Sequence, residues 1–485
     1  MSKIRLRFAP SPTGDVHVGS IWLAQFNWLF ARQQDGKFIV RIEDTDQKRL
    51  VPGSVEKIYQ ALEWYGLTPD EGPEHGGEHG PYVQSERLKL YHKYVHQLIK
   101  QGSAYYCFCT PERLEELRTN QQAQKLPPRY DKLCSSITVD DASQRVAAGD
   151  RAVVRLNVPT TGTVTLDDVI RGKVTFSYDQ IDDSILLKSD GFPTYHLAVV
   201  VDDHLMEISH VLRAEEWLPS TPKHLLLYHA FGWVPPVFAH LPQILGTNKK
   251  KLSKREGAAS ALHFRDQGYL PEAMQNFLAL MGWHPKGDQE VLTRTEILEQ
   301  FKLEAINPSG AIFDQTKLDW MNGVYIRALA LPDLFERLRP FWHVPDDGWA
   351  PEQLLAALGL VHDRLVKLSD IDEAINFVFP SAWNAERTNV DEQMIIPKKG
   401  SMDIARNNLR ILVGWLTAYT GQWTAVDLKA EIIKAIADAG LKNGDVLWPA
   451  RIALSLRSAS PDVFDLLAVI GYEESIRRMK TFCAA

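Results

Sequence analysis

Two short segments hold residues whose types and spacing suit phosphate chemistry. The first is Ser11-Pro-Thr-Gly-Asp-Val-His17-Val-Gly19-Ser20, between an apolar stretch and the amphipathic one it opens. At a helix start the unpaired backbone N–H groups and the positive end of the helix dipole favour an anion, and a glycine at 19 lets a nucleotide approach the main chain. His17 would add a donor to a phosphate oxygen, although a histidine beside glycine at such a place also serves as a plain cap or turn. The second is Lys249-Lys-Lys-Leu-Ser-Lys254-Arg255, five basic residues in seven positions. A solvated loop or a nucleic-acid patch accounts for many such runs. Here Ser253 is embedded in the run and Glu256-Gly-Ala follows, the composition of a loop rather than a helix face. Lysines on a loop can reach a triphosphate and neutralise charge that develops as pyrophosphate leaves.

These segments need elements to hold them. Residues 4–10, Ile-Arg-Leu-Arg-Phe-Ala-Pro, predict a short buried strand closed by the breaker Pro10-Ser-Pro-Thr-Gly14. From Val18 to Arg32 the apolar residues Ile21, Trp22, Phe26, Leu29 and Phe30 recur every three or four positions, the period of a helix with one buried face. Phe38-Ile-Val-Arg-Ile42 predicts a second strand, which runs into the acidic turn Glu43-Asp-Thr-Asp46. Strand, helix and strand within about 45 residues form a βαβ unit, which builds parallel sheets whose ligands sit at the carboxyl ends of the strands. Residues 103–182 change character, with three clustered cysteines, a Gln-rich polar helix near Thr119–Gln124 and a β-type run at Ala152–Leu156, and they predict an insertion. Apolar strands are then expected at Ser184–Lys188, Tyr195–Val201 and Met206–Leu212 as the second half of the first domain. Beyond about residue 320 the apolar residues fall at helical spacing, as in Pro351–Leu368, Met402–Tyr419 and Leu428–Ala439, which predicts an all-helical C-terminal third.

The pairing of His17-Val-Gly-Ser20 with Lys251-Leu-Ser-Lys-Arg255 resembles the HIGH and KMSKS signatures of class I aminoacyl-tRNA synthetases. The text around them, Arg7-Phe-Ala-Pro-Ser-Pro-Thr-Gly14, Arg41-Ile-Glu-Asp-Thr-Asp46, Asp190-Gly-Phe-Pro-Thr-Tyr195, Val201-Asp-Asp203, Arg213-Ala-Glu-Glu-Trp217 and Gly268-Tyr-Leu-Pro-Glu-Ala273, is similar to the bacterial glutamyl-tRNA synthetase family. The likeness is dense in the first half and continues more loosely through Lys317–Asn322 and Arg451–Leu454. It implies an α/β chain with a Rossmann-like, doubly wound parallel-sheet catalytic domain split over residues 1–102 and 183–240. An α+β insertion at 103–182 would bind the tRNA acceptor end. Residues 241–325 would contact the stem and carry the basic loop, and 326–485 would form an all-helical anticodon-binding region, with a subdomain break near 385–400.

The implied activity is ATP-dependent activation of L-glutamate and transfer of the glutamyl group to the terminal ribose of tRNA(Glu). A glutamate presents two carboxylates and one ammonium. Arg7 and Arg213 can each grip a carboxylate bidentately, Glu43 can partner the ammonium, Tyr195 offers a hydroxyl, and Ala9 and Ser11 can border the amino acid with backbone groups. Read without the resemblance, Arg7 and Glu43 also fit a structural ion pair, and Tyr195 a core aromatic with its hydroxyl satisfied. The resemblance assigns His17 and Gly19 to the phosphates and adenosine, Glu216 to the ribose, and Lys251 with Lys254 to the triphosphate, with Mg²⁺ carried mainly by phosphates and water. Asp202 and Asp203 are further magnesium candidates, or a solvated acidic turn. Some family members hold zinc in the insertion through Cys-x-Cys and a later Cys-x-His or Cys-x-Cys; here Cys107, Cys109 and Cys134 are present but Ser136 stands fourth. A neutral serine hydroxyl is a poor zinc ligand, so three thiols without metal are expected, a tyrosine such as Tyr130 being the kind of residue that could substitute as a ligand. Arg364 resembles a residue with which discriminating enzymes check an anticodon base.

Composition sets bounds on this picture. The chain has 485 residues, 45% hydrophobic and 24% charged, long enough for three or four domains. Four cysteines cannot make a disulfide scaffold, and no apolar run approaches the ~18–20 residues of a membrane span or forms a signal peptide. A cytoplasmic monomer without a membrane partner is expected. The net charge of -7 argues against nucleic acid only as a global sum, since local surfaces such as Lys249–Arg255 can serve tRNA within an acidic remainder. Two relatives with the same catalytic half remain as alternatives: a non-discriminating form that also charges tRNA(Gln), and a tRNA-modifying glutamyl transferase, which the long helical region disfavours. A catalytically silent RNA-binding paralogue is disfavoured by the intact His17 and Lys251–Lys254.

Overall fold

Strand β1 (Arg5–Phe8) is buried along its whole length although it carries two arginines. Arg5 is compensated by a bidentate pair with Glu71, both contacts 2.8 Å, and by donating its Nε–H to the Met206 carbonyl at 2.8 Å. Helix α1 (Val18–Gln33) follows and is buried almost all round; its polar Gln25 and Asn27 reach the carbonyls of Gln275 and Leu212. It returns the chain to β2 (Lys37–Val40), parallel to β1 with Arg5 opposite Lys37 and Phe8 opposite Val40. The βαβ unit read from hydrophobic spacing is therefore present, in a computed structural model that describes residues 3–250, 252 and 260–483. The chain divides into one unit that runs to Arg265 and takes in Pro271–Gln315, and a second made of Asp266–Leu270 with the chain from Thr316 onward.

In the first unit α2 (Ser54–Trp64) and α3 (Leu88–Lys100) lead to residues 103–182. There β3 (Ala104–Cys107), the helices α4 (Pro111–Ala123) and α5 (Val139–Ala147), and β4 (Val153–Leu156) appear in turn. A hairpin of β5 (Thr163–Asp168) and β6 (Gly172–Ser177) follows, and then β7 (Ile185–Leu187). Strands β3, β4 and β7 form an antiparallel sheet, so the run at Ser184–Lys188 pairs with strands from residues 103–182 rather than with the parallel strands. Conversely β5 pairs in parallel with β9 at Asp168 and Phe238, which attaches the hairpin to the parallel strands. Edge pairing joins residues far apart in sequence, and local periodicity carries no trace of it.

The expected strand Tyr195–Val201 is instead helix α6 (Tyr195–Leu205). Leu197 to Val201 are all buried, and a short run apolar on every side has the same pattern in a covered helix as in a covered strand. Then come β8 (His210–Ala214), α7 (Thr221–Phe231) and β9 (Val237–Leu241), with β8 and β9 parallel in continuous register. Only the end of the expected strand Met206–Leu212 is extended. A short parallel pair, β10 (Ile244–Leu245) with β11 (Ala311–Ile312), brackets α8 (Ala261–Asp266), α9 (Pro271–Leu280) and α10 (Arg294–Gln300).

Every regular element that begins within the second unit's described residues is helical. Helices α11 (Gln315–Ala328), α12 (Leu331–Leu338), α13 (Pro351–Val361), α14 (Ile371–Ile375) and α15 (Pro380–Arg387) precede α16 (Met402–Ala418), α17 (Ala425–Asp438), α18 (Asn443–Ser455), α19 (Val463–Ile470) and α20 (Tyr472–Cys483). Leu409, Leu412 and Leu416 of α16, Ile452 and Ala453 of α18 and Met479 of α20 share the buried core. The fully buried Arg478 ties its parts together, donating to the carbonyls of Phe377, Val378 and Leu454 at 2.7–2.8 Å. No helix among the described residues is long and apolar enough to cross a membrane.

Candidate active site

Strands β1 and β8 start side by side, where the Ser209 N–H donates to the Arg5 carbonyl at 3.0 Å. Further along, the Leu212 carbonyl of β8 accepts from the Asn27 side chain rather than from a strand. A cavity of about 920 Å³ opens at the carboxyl ends of the two strands, lined by Arg7 and Phe8 from β1 and by Leu212, Arg213 and Ala214 from β8. This is the position that a doubly wound sheet reserves for ligands. Ala9, Ser11, Glu43, Tyr195 and Glu216 also line it, so seven residues singled out from sequence converge on one space.

The charges are arranged in a chain of buried pairs. Arg7 donates its Nε–H to Asp203 at 3.0 Å, and the same carboxylate oxygen takes Arg41 at 2.7 Å. Arg41, fully buried, also holds Glu43 at 2.9 Å. The expected alternative of an Arg7–Glu43 ion pair is thus replaced by two separate partners, because Arg41, two residues before Glu43, projects to the same side of the extended chain. Burial raises the Glu43 carboxyl above its ordinary range despite Arg41. Burial also pushes Asp203 up, yet the Arg7 and Arg41 guanidiniums overcome this and hold it low. Among the described residues no acceptor meets the terminal nitrogens of Arg7, a cavity-lining side chain.

Asp202 and Asp203 lie in α6, neither as a solvated turn nor as open magnesium ligands. Asp202 has no exposed surface and accepts from Arg87 at 2.7 Å, Gln84 at 2.9 Å and Tyr91 at 2.7 Å. Both oxygens of Asp202 are claimed, and Asp203, almost wholly buried, shares one oxygen between Arg7 and Arg41, so neither is an open magnesium ligand.

Arg213 is engaged differently from Arg7. Its five N–H groups all meet protein acceptors: Nε to His240 at 3.0 Å, Nη1 to the Tyr195 hydroxyl at 3.0 Å and His224 at 3.2 Å, and Nη2 to Thr221 at 2.8 Å and the Trp217 carbonyl at 3.5 Å. Tyr195 accepts there, which leaves its own O–H as a donor on the cavity wall, and its ring lies 4.5 Å from that of Trp217. Burial raises the Tyr195 hydroxyl, so it stays protonated.

His17 caps α1: its Nδ1 accepts the Gly19 N–H at 3.2 Å. A backbone N–H only donates, so a neutral His17 carries its proton on Nε2. The cap reading and the donor reading are therefore compatible. His17 and Gly19 stand at the head of α1, next to Ser20, which does line the cavity. A Cβ at Gly19 would sit 3.4 Å from His17 Nδ1 and 3.6 Å from Ile244, against the cap itself. Lys251 and Lys254 lie outside the described residues. Arg364 belongs to the second unit, exposed on a single helical turn, with Nη2 donating to the Ser460 carbonyl at 2.7 Å.

The sulfurs of Cys107, Cys109 and Cys134 all lie within 4.8 Å of one another. The fourth group beside them is the Tyr130 hydroxyl, 3.4 Å from Cys107 and 3.3 Å from Cys109, rather than Ser136, which is exposed and turned to the Leu133 carbonyl. Cys109 and Cys134 are 3.7 Å apart, close to the ~3.8 Å edge of a tetrahedron with Zn–S bonds of about 2.3 Å.

Sequence reasoning gave no role to Arg41, Lys188, Trp217, His224 or His240. Arg41 had a usable signal in its i, i+2 spacing to Glu43. Lys188, which reaches the Thr45 carbonyl at 3.0 Å, and the two histidines are brought in by strands and helices remote in sequence and had none.

Known proteins resemble the chain along its length. A family model described as tRNA synthetases class I (E and Q), catalytic domain, matches residues 3–320, and an anticodon binding domain model matches 333–483. A glutamate–tRNA ligase of Dehalococcoides mccartyi is 45% identical over 483 residues, 99% of this chain and 97% of that protein. One of Clostridium acetobutylicum is 43% identical, covering 99% and 98%. A crystal structure of a glutamate tRNA ligase from Elizabethkingia meningosepticum, in complex with its amino acid, superposes with a TM-score of 0.88 at 34% identity, covering 99% of each chain.

Proposed function

The chain belongs to the class I tRNA synthetases for glutamate and glutamine and is a glutamate–tRNA ligase, and on this premise we propose which of its residues bind and activate the amino acid. The observation that carries the proposal is the convergence of Arg7, Ala9, Ser11, Glu43, Tyr195, Arg213 and Glu216 on one cavity at the carboxyl ends of β1 and β8.

Arg7 offers two unclaimed terminal nitrogens to one substrate carboxylate. Tyr195 offers its O–H to the other, beside Arg213, which joins by exchanging one of its present acceptors. Glu43, fixed by Arg41, accepts the ammonium. The substrate α-carboxylate attacks the α-phosphorus of ATP, forming glutamyl-adenylate and releasing pyrophosphate. The terminal ribose hydroxyl of the tRNA then attacks the acyl carbon and AMP leaves. Such displacements depend on positioning and charge stabilisation, which is why no protein nucleophile is needed. His17 Nε2–H and the head of α1 face the phosphates, Gly19 lets the nucleotide close in, Glu216 takes the ribose, and Lys251 and Lys254 take the triphosphate. A magnesium ion bound with ATP would supply charge neutralisation at the phosphates and would be held mainly by phosphate oxygens and water, since Asp202 and Asp203 are engaged by arginines.

Cys107, Cys109, Cys134 and Tyr130 suit a structural zinc that would clamp the insertion. Arg364 is assigned to the anticodon and tRNA(Glu) to the specific partner. Four free cysteines support a reducing, cytoplasmic setting, and we read the enzyme as a monomer. The deciding experiment is charging of purified tRNA(Glu) against tRNA(Gln) with labelled glutamate. Preferential glutamylation of tRNA(Glu) is expected, and equal charging would replace this reading with the non-discriminating one.

A further inference from the structure

Arg5, Arg7, Arg41 and Arg87 of the first unit each donate to a carboxylate. Arg213, as deeply buried, does not: its acceptors are two imidazoles, two hydroxyls and a carbonyl. A guanidinium has no acceptor and cannot shed its protons here, so both ring nitrogens facing it must be bare. His240 therefore carries its proton on Nδ1 and donates to Asp168 at 2.6 Å, while His224 carries its proton on Nε2 and donates to His196 Nδ1 at 3.2 Å. Asp168 is itself fixed by the backbone N–H groups of Ile170 and Arg171 at 3.0 and 2.9 Å. Asp168, His240 and His224 are all nearly or fully inaccessible to solvent, so the rings hold one orientation.

We propose that His240, oriented by Asp168, and His224, backed by His196, are positioning residues that hold the Arg213 guanidinium in place without neutralising it. The pocket thereby selects an anionic amino-acid side chain over its uncharged amide. A carboxylate in either ring's place would orient Arg213 equally well and cancel its charge, as happens at Arg41. The imidazole keeps the orientation and sets the carboxylate that orients it, Asp168, one ring further away from the guanidinium. The inference rests on the reading that Arg213 meets a substrate carboxylate.

The test is ATP–pyrophosphate exchange by the full chain with tRNA present, with glutamate and glutamine as alternative substrates. His240→Phe keeps the ring and removes the acceptor; the KM for glutamate is expected to rise roughly tenfold to a hundredfold, the cost of an unmet charged donor. The KM for ATP should stay put and the glutamate-to-glutamine ratio of kcat/KM should fall. His240→Gln, whose amide oxygen can take the Nε2 position, should recover most of both, a rescue that a purely structural role does not require. If His240→Phe does not fold, Asp168→Asn and His224→Gln carry the same readout. Folded variants with an unchanged glutamate KM and substrate ratio overturn the proposal, as does a fall in kcat with both KM values moving together. Arg213→Gln separates the two levels: an unchanged glutamate KM there sinks the pocket assignment itself. A large effect at Arg213 with none at His240, His224 and Asp168 sinks only the positioning role.

Discussion

The Nε–H of Arg213 and the Nε2 of His240 meet across 3.0 Å in a wall of the cavity where His240 has no exposed surface. Burial holds His240 and, more strongly, His224 below the ordinary imidazole range, with the Arg213 cation pushing the same way. Both rings stay neutral at physiological pH, and Arg213 remains an oriented cation. All five of its N–H groups are occupied before any ligand arrives, so a bound carboxylate exchanges with an existing acceptor, whereas Arg7 can add a bond outright. The two arginines therefore make different contributions to binding.

Arg7→Gln removes the cation with open bonding capacity and leaves Asp203 with Arg41 alone. The KM for glutamate should rise about 10- to 100-fold, the worth of a charge-assisted hydrogen bond in a buried site, with the KM for ATP little changed. Steady-state exchange with each substrate varied in turn measures this, and an effect confined to ATP would contradict the assignment.

Lys254→Ala should lower the rate of adenylate formation by about two to three orders of magnitude, as loss of a transition-state charge stabiliser does. The melting temperature should not move. Rapid-quench measurement of adenylate alongside thermal denaturation checks both halves, and wild-type exchange would remove the role given to the loop.

Acid denaturation should occur in two windows. Burial, with Lys223 and Arg213 nearby, holds His196 at about 4, so between its ordinary 6.5 and about 4 the unfolded chain binds a proton that the folded chain does not, and stability falls as pH falls. The Arg5 bond holds Glu71 at about 2 against an ordinary 4.5, so the stability it contributes is complete above 4.5 and is lost as pH falls towards 2. His196→Gln should make the first window shallower, with His224 and His240, held low in the same way, still contributing to it. Glu71→Gln should weaken the second, to which Asp168 and Asp203 also contribute, and cost on the order of 3 kcal/mol at neutral pH by stranding Arg5. Urea melts at stepped pH read both slopes.

Protein purified without chelator should contain about one zinc per chain, bound by Cys107, Cys109, Cys134 and Tyr130. Cys109→Ser should lose the metal, Tyr130→Phe should release it to a chelator faster, and Ser136→Ala should change nothing, since Ser136 faces away from the cluster. Elemental analysis decides; metal-free protein with wild-type stability would leave three bare thiols in its place.

Sequence alone determined what depends on local pattern and chemical type. The opening βαβ unit followed from the 3.6-residue spacing of Ile21 to Phe30 between two apolar runs, and the helical C-terminal part from the same period. Arg7, Glu43, Tyr195 and Arg213 could be named because two carboxylates and an ammonium demand such groups, and because the motifs carrying them resemble a known family. Tertiary structure decided which charge meets which. Glu43 pairs with Arg41 rather than Arg7, Asp202 and Asp203 are buried partners rather than an open turn, and Tyr130 rather than Ser136 completes the thiol cluster. The joining of Asp168, His240, Arg213 and His224 is the clearest case, since these residues come from β5, β9, β8 and α7. Contacts of that kind depend on which strand edges pair and how deeply they are covered. Both are sums over the whole chain and leave no mark at any one position.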